Sequence, residues 1–199
     1  MRICGGEFKG RGLVSFPGKA IRPTPEHVRE AIFNILGQRL DNVQVLDLFA
    51  GTGALGLEAL SRGAAQALFV DISLKALNII NQNISNLGLK KRARAIRSDL
   101  TRGLKPVTKN LPQIDLVFLD PPYGKNLAPQ TLLRLEALPQ FMEGGTIVVE
   151  HFRDELNALT FEALTLCSTR TYGQTAISFF EKVKTPGPSP DFANPKMEK

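Results

Sequence analysis

Apolar positions change their spacing along the chain, and these changes divide it into elements. Near the start, Arg2-Ile3-Cys4 and Leu13-Val14-Ser15-Phe16 are short strand-like runs separated by several glycines, which predicts a small β-hairpin. Arg22-Pro23-Thr24-Pro25 follows. Thr24 suits a helix N-cap, and Pro25 suits the first helical position, where its missing N–H leaves nothing unpaired. Val28, Ile32, Ile35 and Leu36 then recur at helical spacing up to Gly37. From residue 43 onward, continuous apolar runs alternate with helical patterns. Residues 43–48, 67–71, 93–96, 114–119 and 146–150 read as strands; 55–62, 73–88 and 127–138 read as helices. Strands that are apolar on both faces, set between helices, predict a parallel sheet covered on both sides. The runs at 161–170 and 176–183 have no helix between them, so an antiparallel pair should finish the sheet. Beyond Lys184, Pro186-Gly187-Pro188-Ser189-Pro190 shows no apolar periodicity and predicts a disordered tail. The expected organisation is an α/β domain over 21–183, a hairpin extension over 1–20 and a tail over 184–199.

Composition narrows the class. With 199 residues and 43% apolar content the chain can form one domain with a full core. No apolar run approaches the roughly 18 residues of a membrane span, and the first residues lack the apolar core of a signal peptide, so a soluble, cytoplasmic protein is expected. Cys4 and Cys167 have no metal-binding companions at ligand spacing, and they read as two small buried or half-buried side chains rather than a zinc site or a disulfide. The net charge of +6 favours a polyanionic partner. Arg2, Lys9, Arg11, Lys19 and Arg22 precede residue 24, where the one acid is Glu7.

Asp47-Leu48-Phe49-Ala50-Gly51-Thr52-Gly53-Ala54-Leu55-Gly56 runs from a strand into a helix, and Asp71 ends the next strand, 20 residues after Gly51. Glycines at such a turn let the backbone approach a ligand, and the acid can accept from ribose hydroxyls. Either a dinucleotide or S-adenosylmethionine fits that pattern. Asp47 favours the second: a carboxylate there would repel a pyrophosphate, whereas the methionine part of S-adenosylmethionine carries an ammonium group. Asp99, after the third strand, is placed to accept from the adenine amino group, or else simply caps the helix beginning at Leu100. Ile72 could pack on the adenine face.

Asp120-Pro121-Pro122-Tyr123 follows the apolar strand 114–119 and is the most specific signal in the chain. The two prolines stiffen the loop and remove two N–H donors, leaving the Asp120 carboxylate and the Pro121 carbonyl as acceptors. Tyr123 offers a flat face on which a base can stack. An exocyclic amine is a poor nucleophile because its lone pair is shared with the ring. Two acceptors holding its hydrogens would favour a pyramidal nitrogen, and Asp120 would stabilise the positive charge that develops there. A base within a duplex is out of reach, so the target must be unpaired or flipped out. Adjacent first and fourth strands would bring this loop to the glycine loop.

These motifs resemble the class I amino-methyltransferases of nucleic acids. More closely, from Met1 to about Val183 the chain resembles the bacterial 16S ribosomal RNA guanine-N2 methyltransferases of the RsmD type. The marks are Arg2-Ile3-Cys4-Gly5-Gly6, Arg22-Pro23-Thr24, the stretch from Val28 to Leu36, and Tyr172-Gly173-Gln174-Thr175-Ala176. The resemblance implies a Rossmann-like, mostly parallel seven-stranded sheet with a reversed last strand. It implies S-adenosylmethionine as donor and the small ribosomal subunit or its assembly intermediate as partner; the transfer chemistry itself needs no metal, and a monomer is the default expectation. Carried over, Asp120, Pro121, Pro122 and Tyr123 form the catalytic loop. Asp47, Phe49, Gly51, Gly53, Asp71, Ile72, Asp99, Leu100 and Thr24 are expected at the cofactor. Arg2, Lys9, Arg11, Arg22 and Lys125 are expected to meet RNA. His27 is read as exposed and His151 as structural. The alternatives are a DNA amino-methyltransferase, a nicotinamide-dependent oxidoreductase and a silent RNA-binding module; no inserted target-recognition segment supports the first.

Overall fold

The computed structural model describes residues 1–17, 25–109, 111, 113–156 and 159–184. Arg22 and Thr24 lie outside the described residues, as does the tail from residue 185 on. In chain order the elements are α1 (Glu26–Leu36), β1 (Gln44–Leu48), α2 (Ala54–Ser61), β2 (Gln66–Asp71), α3 (Leu74–Asn86), β3 (Ala93–Arg97), a 3₁₀ turn (Leu100–Arg102), α4 (Lys105–Thr108), β4 (Ile114–Leu119), α5 (Leu127–Glu136), β5 (Phe141–Phe152), β6 (Leu164–Tyr172) and β7 (Thr175–Lys182). The strands form one sheet of order β3-β2-β1-β4-β5-β7-β6. β3, β2, β1, β4 and β5 are mutually parallel, and β7 runs antiparallel to both β5 and β6. The expected reversed strand is therefore β7, inserted between β5 and the edge strand β6. β1 and β4 are neighbours, the adjacency that brings the two loops together.

Alternation along the strands divides the core in two. Val45, Phe69, Phe118 and Val148 face a layer that includes Val28, Ile32 and Phe33 of α1 and Leu57 and Leu60 of α2. Leu46, Val70, Val117, Leu119 and Val149 face the opposite layer, with Leu100, Leu104, Leu132 and Leu135. Each layer removes a continuous apolar surface from water, which is what holds a parallel sheet between helices.

Several boundaries differ from expectation. Helix α1 begins at Glu26, with Pro25 as its extended N-cap and no capping side chain. β5 begins five residues early, at Phe141, through an irregularity at Gly144 and Gly145 where its register against β4 shifts. Among the described residues, the N-terminal segment forms the expected hairpin in short form: Arg2 bridges Gly12 antiparallel, the Ile3 N–H donates to the Arg11 carbonyl and the Leu13 N–H to the Met1 carbonyl, at 3.0 Å each. It is also held by the body of the protein. The Cys4 and Gly5 N–H groups donate to the two carboxylate oxygens of Glu58 at 2.8 and 2.7 Å, and the Glu7 N–H donates to the Ser61 carbonyl at 2.7 Å. Gly6 has φ +75°, and a Cβ there would lie 1.9 Å from the Ser61 carbonyl oxygen, so no other residue fits so close an approach. Cys167, expected to be at least half buried, is exposed on β6, the edge strand.

Candidate functional site

The carboxyl ends of β1, β2, β4 and β5 open into a cavity of about 750 Å³. That is the switch-point position at which open α/β sheets bind ligands, and the size is ordinary for a small-molecule site. Asp47, Asp71, Asp120 and Glu150 all line it. Asp47, Asp71 and Glu150 share the alternation parity of Val45, Phe69 and Val148, so the acids converge on one side of the sheet.

The glycine loop divides its work. Gly51 (φ +55°) lines the cavity, and its N–H donates to Asp71 Oδ2 at 2.9 Å. Gly53 (φ +75°) is the left-handed N-cap of α2, and a Cβ there would press on Ile80 and Phe69 at 3.2 Å; it faces the core and does not line the cavity. Gly56 lets α2 lie against β2, since a Cβ would come within 2.4 Å of the Phe69 ring and 3.0 Å of Asp47 Oδ2. Phe49 holds φ +58°, a left-handed conformation that costs a non-glycine residue about 1–3 kcal/mol and is characteristic of ligand loops.

Asp47 is 3% exposed, and its Oδ2 accepts the Gly56 N–H at 3.0 Å. Burial pushes its carboxyl up to about 8, against the opposing effect of that hydrogen bond and with added repulsion from Asp71. Asp71 also accepts the Ser73 N–H at 2.8 Å through Oδ1. Each of its oxygens thus has one protein donor and retains lone-pair capacity for a ligand hydroxyl. Ile72 is 55% exposed at the cavity, an unburied apolar side chain where a flat ring could rest. Asp99 does cap the following turn: its Oδ1 accepts from the Thr101 N–H and hydroxyl at 3.0 and 2.6 Å, and Arg102 lies 3.3 Å from Oδ2. The Thr101 bonds hold its carboxyl below the usual range. It lines the cavity together with Leu100.

Opposite, the Asp120–Tyr123 loop leaves β4. Burial raises the Asp120 carboxyl well above its ordinary value, with repulsion from Glu150 and Asp47 adding to the effect. The Tyr123 hydroxyl donates to Glu150 Oε1 at 2.6 Å and sits 3.2 Å from Thr175 Oγ1. Its ring, 46% exposed, packs edge-on to Phe152 with centroids 6.4 Å apart. Burial and the Glu150 bond raise this phenol, so it remains a donor.

Of the basic residues, Lys125 lines the cavity. Arg2, Lys9 and Arg11 are exposed on the N-terminal turn, which docks at the end of α2 away from the glycine loop; Ser15 and Phe16 of the same segment reach the cavity. His27 is exposed at the rim, edge-on to Tyr172 at 6.3 Å. His151 is buried between the Phe152 carbonyl (Nδ1, 2.7 Å) and Ser178 Oγ (Nε2, 2.8 Å), a structural placement. Sequence reading missed Glu150, Tyr172 and Thr175 as site residues. Glu150 had a signal: like Asp71 and Asp120, it is the acid that follows an apolar run.

A parallel sheet flanked by helices, carrying a reversed β7 and a glycine loop at its switch point, defines the Rossmann-like class I methyltransferase fold. Residues 1–181 match the model of the family described as conserved hypothetical protein 95. Ribosomal RNA small subunit methyltransferase D of Haemophilus influenzae is 31% identical over 181 residues, spanning 91% of this chain and 93% of the relative. Its Escherichia coli namesake is 38% identical over 152 residues, 75% of this chain and 74% of the relative. The structure of the hypothetical protein TTHA0928 of Thermus thermophilus superposes with a TM-score of 0.74 at 31% identity, covering 91% of this chain and 99% of that one. The chain belongs to this family, the one its motifs resemble.

Proposed function

We propose that the protein methylates the exocyclic N2 of a guanine in 16S ribosomal RNA of the small subunit, with S-adenosylmethionine as donor. The observation that carries this reading is one cavity lined both by the glycine loop with its acids and by the Asp120–Tyr123 loop. The names of the relatives support ribosomal RNA as the substrate class, and a cytoplasmic setting would follow from such a substrate. Residues 21–183 would be the methyltransferase domain and residues 1–20 an extension contributing to RNA contact.

The lining fits such a donor. Asp71, beside the Gly51 backbone, would hold the ribose hydroxyls. Asp47 would meet the ammonium group, and Ile72 and Leu100 the adenine faces. Asp99 has one oxygen engaged by Thr101 and one near Arg102, and keeps lone-pair capacity for the adenine amino group. S-adenosylmethionine supplies a methyl group on a cationic sulfur, which keeps the electron pair when the C–S bond breaks. Asp120 and the Pro121 carbonyl would accept the two N2 hydrogens, directing the nitrogen lone pair toward that carbon. Positive charge developing on N2 would be stabilised by the Asp120 carboxylate, and the proton would leave to water or by way of Asp120. Tyr123 would stack on the base and fix its plane. Positioning of this kind provides much of the rate.

The test is transfer of radiolabelled methyl from S-adenosylmethionine to small subunits purified from cells lacking this protein, followed by nucleoside analysis. Label in N2-methylguanosine is expected. Label in N6-methyladenosine or N4-methylcytosine, or in DNA, would overturn the substrate. Transfer to neither nucleic acid would overturn the activity and return the silent-module and oxidoreductase readings. Asp120→Ala should bind cofactor almost as the parent does and lose methyl transfer by orders of magnitude; retained turnover would refute its role.

A further inference from the structure

Strands β4 and β5 run parallel with Leu119 beside Val149, the residues that immediately precede Asp120 and Glu150. Both line the cavity. Glu150 is fixed there by Tyr123, whose hydroxyl it accepts at 2.6 Å, and Tyr123 is itself braced by Thr175 at 3.2 Å. Holding an amine requires only the Asp120 loop, so a second carboxyl in the same cavity calls for its own explanation.

The base edges supply one. Guanine presents two adjacent donors on its Watson–Crick edge, the N2 amine and the N1–H. Adenine and cytosine set an unprotonated ring nitrogen beside their amine, and a carboxylate facing that lone pair is repelled. A site built to accept a donor rejects an analogue lacking it far better than a merely apolar site does. Two carboxyls in one cavity match two neighbouring donors, and among the three amino-bearing bases only guanine offers them. We propose that Glu150 is a specificity-determining residue that accepts the guanine N1–H while Asp120 and Pro121 hold N2, and that the Tyr123 hydroxyl sets the orientation of its carboxylate. This rests on the guanine-N2 reading above.

The test uses small subunits reconstituted with 16S RNA carrying either guanine or 2-aminopurine at the methylated position. 2-Aminopurine keeps the N2 amine, but its N1 is an acceptor. The parent protein should favour guanine in kcat/KM. Glu150→Gln can turn its amide to donate to that N1, and should erode the guanine preference roughly tenfold or more relative to the parent. Any intrinsic difference between the two amines cancels in this comparison. Tyr123→Phe keeps the ring and frees Glu150 from its anchor; it should shift the ratio in the same direction by less, and it carries the test if Glu150→Gln does not fold. Equal losses on both substrates would mean that Glu150 only braces the loop, and would overturn the proposal. Absence of N2-methylguanosine with the parent protein would instead overturn the reading beneath it. N2-methylguanosine together with an unchanged ratio in the variants would overturn this inference alone.

Discussion

Asp47 gives a prediction whose size follows from its surroundings. Buried under α2 with one hydrogen-bond donor, its carboxyl is pushed up to about 8 in the ligand-free protein. A group with that pKa is about 90% protonated at pH 7. If Asp47 receives the ammonium of the cofactor, binding must ionise it, releasing about 0.9 proton per site at pH 7 and almost none at pH 9. Affinity should then rise about tenfold for each pH unit up to neutrality and level off above about 8. The sign for stability is opposite to that of an ordinary carboxylate. The folded value lies above the unfolded one, near 3.8, so the contribution to stability is full below that pH and is lost as pH rises through about 8. S-adenosylhomocysteine carries the same ammonium and does not react, so it is the suitable probe. Calorimetry at pH 7 in two buffers of different ionisation enthalpy reads the released proton directly. Asp47→Asn keeps an acceptor for the Gly56 N–H but cannot ionise; it should abolish proton release and weaken binding by about 1.5–3 kcal/mol, the worth of a charge-assisted hydrogen bond. Binding without proton release and with a flat pH profile would refute the assignment.

Three other perturbations probe the same geometry. Glu58 is fully buried and accepts from Cys4, Gly5 and both the Nε and Nη2 of Arg62 (2.9 Å each), with Arg29 at 3.7 Å, so Glu58→Gln should destabilise by about 3–5 kcal/mol in urea unfolding. A loss under about 1 kcal/mol would contradict that account of N-terminal docking. Gly56→Ala gains helix propensity but drives a methyl into Phe69 and toward Asp47; a net loss of about 1–2 kcal/mol is expected, with cofactor affinity falling alongside, and a more stable variant of unchanged affinity would refute the packing argument. Reversing Arg2, Lys9 and Arg11 to Glu should weaken binding to small subunits and flatten its salt dependence while sparing S-adenosylhomocysteine affinity; unchanged subunit affinity would remove these side chains from the RNA interface.

The N-terminal marks of the family take on physical meaning here. Arg29, in the stretch from Val28 to Leu36, is buried; its guanidinium donates to the Arg2 carbonyl and lies 3.1 Å from the Cys4 sulfur. Gly5 admits the Arg62 guanidinium, which a Cβ would meet at 2.5 Å. Arg2-Ile3-Cys4-Gly5-Gly6 and the α1 stretch are thus two sides of one buried joint around Glu58. The Tyr172–Ala176 mark is instead a turn that brings Tyr172 and Thr175 to the cavity.

Whatever depends on local pattern was legible in the amino-acid order: the alternation of parallel strands and helices, the Asp47–Gly56 turn, and the stiff Asp120–Tyr123 loop with its acceptors. Periodicity and loop chemistry act between residues close in the chain. Which distant groups meet was settled by packing in three dimensions. Packing split the three glycines into one at the cavity, one at a helix cap and one at a helix–strand contact, because those roles depend on Phe69 and Ile80. It docked the N-terminal segment on the body of the protein, through the Cys4 and Gly5 N–H groups on Glu58. It also brought Glu150 and Asp120 to one cavity, since the register that pairs Leu119 with Val149 is fixed across the sheet rather than by neighbours along the chain.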